Sequence, residues 1–244
     1  MKRILSAFLY LVCTFPCGVV IGIVVLYLRW RGHIKLVHPE RFPLWQRGVI
    51  LASNHPSLLE PILLPGLFLR QFFLHPFLFG PWSTPDQSNF RSVWWWWMRP
   101  RAVFVPRGMR RAELGAFRRL RCILRKGGVV ILFPEGGRTS SVGDNVLTSV
   151  RGKRLRPLKP GLAYLAQKTQ ALVVPVWIEG TDAVLPNASD RNVLYHRFPK
   201  FRGHTITIRI GSGIRFSRRD SKEKITQAVS AAFLQLADED TPGE

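Results

Sequence analysis

The sequence predicts an α/β protein, with a mostly parallel central sheet flanked by helices and an N-terminal membrane-anchoring helical segment ahead of it. Three observations carry this reading. Ile4 to Leu28 contains no charged residue, a stretch longer than the roughly 20 apolar residues that cross a bilayer core. Four short apolar runs follow, each ending abruptly in polar residues, Gly or Pro. Between and after them lie segments with apolar residues at helical spacing. A chain of 244 residues is long enough to bury one core of substantial size. It divides into an anchor, residues 1–31, and a single domain, residues 32–244.

The anchor has Lys2 and Arg3 on one side and Arg29, Arg31 and Lys35 on the other, which by the positive-inside rule favours a cytoplasmic face for the domain. Pro16 and Gly18 lie mid-run, where they permit two half-helices that dip into one leaflet, so spanning and monotopic insertion both fit. A cleaved signal peptide fits less well. The run is longer than the usual core of about 7–15 residues, and no small-x-small site follows it.

The four runs come next. Val49–Ala52 leads into Ser53-Asn54-His55-Pro56, and Ala102–Val105 into Pro106-Arg107-Gly108. Val129–Phe133 leads into Pro134-Glu135-Gly136-Gly137-Arg138, and Leu172–Val174 into Pro175, with Trp177 to Thr181 beyond. Continuous β-rich runs read as strands covered on both faces, as in a parallel sheet. In open α/β sheets ligands bind beyond the carboxyl ends of the strands, where these polar clusters converge.

Arg110–Arg125 sets Leu114, Phe117, Leu120 and Leu124 at helical spacing under a face of arginines, and Gly127-Gly128 is a stop signal. A surface helix is expected. His204–Ile210 alternates apolar and polar residues like a half-exposed strand. Asp220 followed by Glu223 resembles a capping box, with Ile225, Val229, Phe233 and Leu236 along one face of a final helix.

The formal net charge of +21 implies a polyanionic partner: nucleic acid, an acidic membrane surface or a phosphorylated substrate. Nucleic acid is not expected, because the chain offers no zinc finger, RNA-recognition signature or clear helix-turn-helix. Arginines 99, 101, 107, 110, 111, 118, 119, 121 and 125 suit docking on anionic lipid, at about 1 kcal/mol per basic residue. The adjoining Trp94–Trp97 suit the membrane interface better than a core strand. Cys13 and Cys17 fall in the apolar run and Cys122 stands alone. Neither a disulfide framework nor a metal site is indicated, and a reducing compartment fits.

Of six histidines, only His55 has a strand exit before it, a proline after it and a carboxylate nearby, at Glu60. On a regular helix residues five apart are separated by about 140° and do not meet, so the pair needs a turn. Pro56 permits a helix to begin just after the histidine, and Pro61 biases Glu60 away from helical dihedrals. In such a pair the carboxylate holds one imidazole nitrogen protonated. The other nitrogen is left to take a proton from a hydroxyl that attacks a carbonyl. The competing reading is a loop with a helix-start carboxylate.

Asn54-His55-(four residues)-Glu60, Phe104-Val105-Pro106-Arg107, Phe133-Pro134-Glu135-Gly136-Gly137-Arg138-Thr139-Ser140 and Val173-Val174-Pro175-Val176 resemble, in order, the four motif blocks of the glycerolipid acyltransferase family. Its members include the 1-acyl-glycerol-3-phosphate acyltransferases. The resemblance runs from Ile50 to about Asp182 and includes Lys159-Pro160-Gly161-Leu162-Ala163. It implies that His55 is the catalytic base and Glu60 its orienting partner. The donor is then the thioester of acyl-CoA or acyl carrier protein, with no other cofactor, and the acceptor a lysophospholipid whose acylation gives phosphatidic acid. It also implies that Arg107 and the Glu135-Gly136 pair hold the glycerol phosphate with Arg138 nearby, and that the Val174-Pro175 block shapes the acyl pocket. Lys159 is added here as a second phosphate contact, since cationic side chains bind phosphate. The stretch Arg151, Lys153, Arg154, Arg156 and Lys159 suits the phosphates of coenzyme A or the acidic surface of a carrier protein.

Three positions depart from the family pattern. Glu60 stands where Asp is usual, Gly137 where Thr is common, and Arg101 where the second block often opens with Gly. All three are expected where a head group is read, which leaves a different lysolipid, or an amine or hydroxyl lipid, as an alternative acceptor. A non-catalytic basic module that binds lipid or nucleic acid explains the charge. It does not explain histidine, glutamate and arginine at successive strand exits.

Overall fold

The computed structural model describes residues 7–85, 98–106, 110–137, 146–185 and 199–240. Trp94–Trp97, Arg107 and Arg138 lie outside these residues.

The apolar segment forms one continuous helical rod, Ala7–Trp30. A π-helical turn, Tyr10–Thr14, leads into α1 (Phe15–Trp30). The bend into half-helices that Pro16 and Gly18 permit does not occur. Pro16 falls in the first turn of α1, where its missing N–H costs least, and the π turn just before it takes up the local mismatch. Among the described residues, this is the one helix long and apolar enough to cross a membrane.

The chain continues through β1 (Ile34–Val37), β2 (Val49–Ser53), α2 (Glu60–Gly66), α3 (Leu69–Leu74), α4 (Pro76–Phe79) and β3 (Trp82–Ser83). Then come α5 (Arg110–Arg125), β4 (Val129–Leu132), the short antiparallel pair β5 (Leu147–Thr148) and β6 (Arg154–Leu155), and α6 (Gly161–Thr169). β7 (Leu172–Glu179), α7 (Thr181–Val184), β8 (Ile206–Ile210) and α8 (Lys222–Asp238) complete the domain. The main sheet has the order β1-β8-β7-β2-β4-β3. Every neighbouring pair is parallel except β7 with β8, which is the mostly parallel sheet expected.

Successive residues of a strand face opposite sides, and here both sides are covered. Ile50, Ala52, Val130, Leu132 and Val173 pack in the layer that holds Leu120, Leu162, Leu165, Ile225 and Phe233 of α5, α6 and α8. Val49, Leu51, Val129, Ile131 and Val174 pack with Val25 and Leu28 of α1 and Leu63 and Leu64 of α2. Glycines let α1 approach closely. A Cβ on Gly18 would lie 2.7 Å from the Phe72 ring, one on Gly22 2.6 Å from Leu69, and one on Gly66 2.6 Å from Val25. The opposite face of α1 leaves Val20, Ile23, Val24, Leu26, Tyr27 and Trp30 exposed, and Phe73, Leu74 and Phe77 are exposed as well.

Several expected elements are redrawn. Ala102–Val105 is extended but is not a full strand: it bridges to Ser83 at Ala102 and donates from Val103 and Val105 to the Ser83 and Pro85 carbonyls. Its partner β3 is only two residues long, too short to template more. The fourth run does not stop at Pro175, because β7 continues to Glu179. The Pro175 carbonyl accepts from Gly211, so the missing N–H faces the break between β8 and Ile214, where no ladder bond is lost. β8 is buried on both faces, not half-exposed. Leu114 is exposed and Ala116 takes its place under α5. The cap of α8 is Ser221, whose Oγ accepts from the Lys224 amide, while Asp220 accepts from the Ser217 amide and pairs with Lys224.

Part of the positive charge is structural. At the sheet end away from the motif loops, Arg47, Arg125 and Arg215 donate to the carbonyls of Lys126, Lys168 and Gln170. These carbonyls lie at the C-terminal ends of α5 and α6, where cations offset the helix dipole.

Candidate active site

Register brings the first and third motif loops level. Ala52 pairs with Leu132 on one side and with Pro175 on the other, so the chain leaves β2 and β4 at the same height. Asn54 then ties β2 to β7: its Nδ2 donates to the Ile178 carbonyl at 2.9 Å and its Oδ1 accepts from the Ile178 amide at 2.7 Å. The residue before His55 is thereby fixed at both ends of its side chain.

The His55–Glu60 pair is formed. Nδ1 of His55 lies 2.8 Å from Oε2 of Glu60. The turn that closes it spans Pro56–Leu59, and the helix begins at Glu60 itself, not just after the histidine. Pro61 does not exclude Glu60 from the helix; it takes a first-turn position, where proline is tolerated. Glu60 is fully buried. Its Oε1 accepts from the Ser57 amide and the Ser57 hydroxyl, both at 3.0 Å, and from the Thr181 hydroxyl. The carboxylate requires a proton on Nδ1 of His55, which leaves Nε2 as the acceptor. The imidazole also stacks on Phe133 at 4.4 Å between ring centroids and 26° between planes. Its orientation is therefore set by a carboxylate at the edge and a ring on the face.

Glu135 is buried, with Oε1 accepting from the His55 amide at 3.0 Å and Oε2 from the Arg156 amide at 3.1 Å. A carboxylate so placed clamps two backbone segments. Gly136 has φ +67°, and a Cβ there would fall 2.4 Å from Cε of Lys159; a Cβ on Gly137 would fall 2.6 Å from Nη1 of Arg156. The two glycines thus admit a lysine and an arginine directly over the turn. Lys159 is exposed and held by its own amide, which donates to the Pro134 carbonyl at 2.8 Å.

Arg101 lies beneath the N-terminal helix, buried at the wall of an apolar slot, donating to the Pro76 and Phe77 carbonyls at 2.8 and 2.9 Å. Its guanidinium sits 4.3 Å from the Tyr10 ring centroid and 4.9 Å from that of Trp82. Val174 and Pro175 are buried in the interior of the sheet. The apolar slot lies near the site, between α1 and α2, lined by Gly18, Ile21, Pro61, Ile62, Phe72 and Met98. Ser57 and Thr181 were not singled out from the sequence. Ser57 had a signal, standing between the histidine and the glutamate, whereas Thr181 reaches Glu60 only through the packing of β7 beside β2.

A histidine braced by a buried carboxylate lies at the carboxyl ends of a mostly parallel sheet, beside a glycine turn overlaid by cations, an arrangement chemically capable of general-base work. The acyltransferase family model matches residues 33–179, and the chain belongs to that family. It is 26% identical over 159 residues to a 1-acyl-sn-glycerol-3-phosphate acyltransferase of Chlamydomonas reinhardtii, covering 64% of this chain and 42% of that protein. It is 27% identical over 157 residues to a chloroplastic 1-acyl-sn-glycerol-3-phosphate acyltransferase of Brassica napus, covering 64% and 40%. The chain thus spans about two-fifths of the length of these relatives. In fold it is similar to the 1-acyl-sn-glycerophosphate acyltransferase PlsC of Thermotoga maritima, with a TM-score of 0.52 at 19% identity over 96% of this chain and 97% of that one.

Proposed function

We propose that this chain is a membrane-bound O-acyltransferase of the glycerolipid type. It moves a fatty acyl group from acyl-CoA or acyl carrier protein to the free hydroxyl of 1-acyl-glycerol-3-phosphate, giving phosphatidic acid. The observation that carries the reading is the 2.8 Å contact between Nδ1 of His55 and the fully buried Glu60. Nε2 of His55 takes the proton of the acceptor hydroxyl as its oxygen attacks the thioester carbonyl. When the C–S bond breaks, the same imidazolium returns the proton to the departing thiolate. Lys159 and Arg156, over the Gly136–Gly137 turn, support a phosphate-bearing acceptor, together with Arg107 and Arg138 by likeness to the family. The slot between α1 and α2 supports an acyl chain.

The exposed outer face of α1, continued by Phe73, Leu74 and Phe77, supports membrane attachment. The glycine-lined inner face supports an anchor docked along the domain, and Arg29, Arg31 and Lys35 after it support a cytoplasmic side for the domain. Purified protein given acyl-CoA or acyl carrier protein and a panel of lysolipids acylates lysophosphatidic acid, and His55→Ala abolishes turnover. Activity retained in His55→Ala overturns the mechanism. Preference for another lysolipid overturns the acceptor alone.

A further inference from the structure

We propose that Thr181 is a positioning residue for the His55–Glu60 pair, a strap from the end of β7 that holds the longer glutamate side chain in line with the imidazole. The inference rests on the reading of His55 as the base. A glutamate has one more rotatable bond than an aspartate, so contact with His55 alone does not fix its carboxylate plane. Two groups supply the rest. Ser57, in the same turn, donates its amide to both oxygens, at 3.0 and 3.2 Å, and its hydroxyl to Oε1. Thr181 donates its hydroxyl to that same oxygen across 121 residues of sequence.

Thr181 is fully buried, and its placement is a matter of backbone. β7 ends at Gly180, with φ +81° and the Thr205 carbonyl so close that a Cβ would fall 2.3 Å from its oxygen. Only glycine makes this turn without strain, and the turn aims the next side chain back toward the carboxyl end of β2. With Oε1 occupied by Ser57 and Thr181, Oε2 is the oxygen presented to Nδ1 of His55. Loss of the Thr181 donor leaves the carboxylate held by groups of its own turn alone, Ser57 and His55, which loosens its plane and with it the imidazole tautomer.

The test compares the full chain with Thr181→Val, which keeps shape and removes the donor, and with Thr181→Ser, which restores it. Thr181→Val lowers kcat roughly 10-fold or more, as expected for a lost hydrogen bond to a charged group, with KM for lysolipid and donor unchanged; Thr181→Ser recovers it. In a Glu60→Asp background the shorter carboxylate no longer reaches Thr181, so Thr181→Val has little further effect. A second readout does not depend on turnover. Histidine labelled with 15N, with the His55 signals assigned by their loss in His55→Gln, shows separate Nδ1–H and bare Nε2 resonances in the wild type and averaged ones in Thr181→Val. Unchanged kcat and unchanged His55 resonances in a folded Thr181→Val protein overturn the proposal. If the wild type acylates no lysolipid, the proposed function fails while the nitrogen resonances still decide Thr181. Thr181→Cys, a similar volume with a weaker donor, carries the same comparison if Thr181→Val does not fold.

Discussion

The backbone amide of His55 donates to Oε1 of Glu135, 80 residues further along the chain, at 3.0 Å. The other oxygen of that carboxylate takes the Arg156 amide at 3.1 Å. The loop with His55, the glycine turn and the basic segment after it are therefore one hydrogen-bonded unit. A shift in any one of them moves the other two.

Glu135→Gln should break this unit. An amide side chain has one accepting oxygen, so either the His55 or the Arg156 N–H loses its partner in a buried setting, at a cost of about 1–3 kcal/mol. Thermal melting and kcat should fall together. A Glu135→Gln protein with wild-type melting and kcat would show that the clamp is dispensable.

Gly136→Ala and Lys159→Ala separate geometry from charge. The alanine methyl meets the Lys159 side chain at 2.4 Å and forces an L-residue to φ +67°, which costs about 1 kcal/mol or more. It should displace the lysine and lower kcat and stability. Lys159→Ala should leave melting unchanged and raise KM for a phosphate monoester acceptor while sparing one without that group. Steady-state kinetics on the two acceptors checks this.

Docking of the anchor is testable at Gly22. A leucine there overlaps Leu69, which lies 2.6 Å from the position of a Cβ, and overpacking of this kind costs about 1–3 kcal/mol. Gly22→Leu should lower the melting temperature of the detergent-solubilised protein, whereas Val20→Leu, on the exposed face of α1, should not. Equal melting of the two variants would mean that the helix stands free of the domain.

Glu179 sets part of the acid limit of stability. Burial raises its pKa, but hydrogen bonds from Trp177, Arg209 and Lys153 outweigh that and hold it below the usual glutamate value. A depressed folded-state pKa contributes stability that is complete above the unfolded value of about 4.3 and is lost as pH falls through the folded one. Glu179→Gln should therefore melt lower than wild type at pH 7, with the gap closing below about pH 4. A gap independent of pH would place the effect in packing.

How much of this was legible beforehand depends on how far each feature reaches along the chain. Val49–Ala52 and Val129–Leu132 announce themselves as buried strands because burial on both faces leaves an unbroken apolar run. Ile225, Val229 and Phe233 likewise mark one face of α8 by spacing alone. His55 and Glu60 sit five apart, near enough for a proline turn to suggest the pair. The sequence by itself therefore determined the α/β class, the exits of β2 and β4, the N-terminal apolar helix and the pairing of His55 with Glu60. Only the tertiary structure decided what Glu135, Arg101, Pro175 and Thr181 do. A glutamate in a glycine turn looks the same whether it faces a ligand or the amides of His55 and Arg156. An arginine gives no local sign that Tyr10 and Trp82 will enclose it. These roles depend on groups brought within 3–5 Å by the sheet and the docked helix, and local periodicity carries no record of contacts between residues so far apart in the chain.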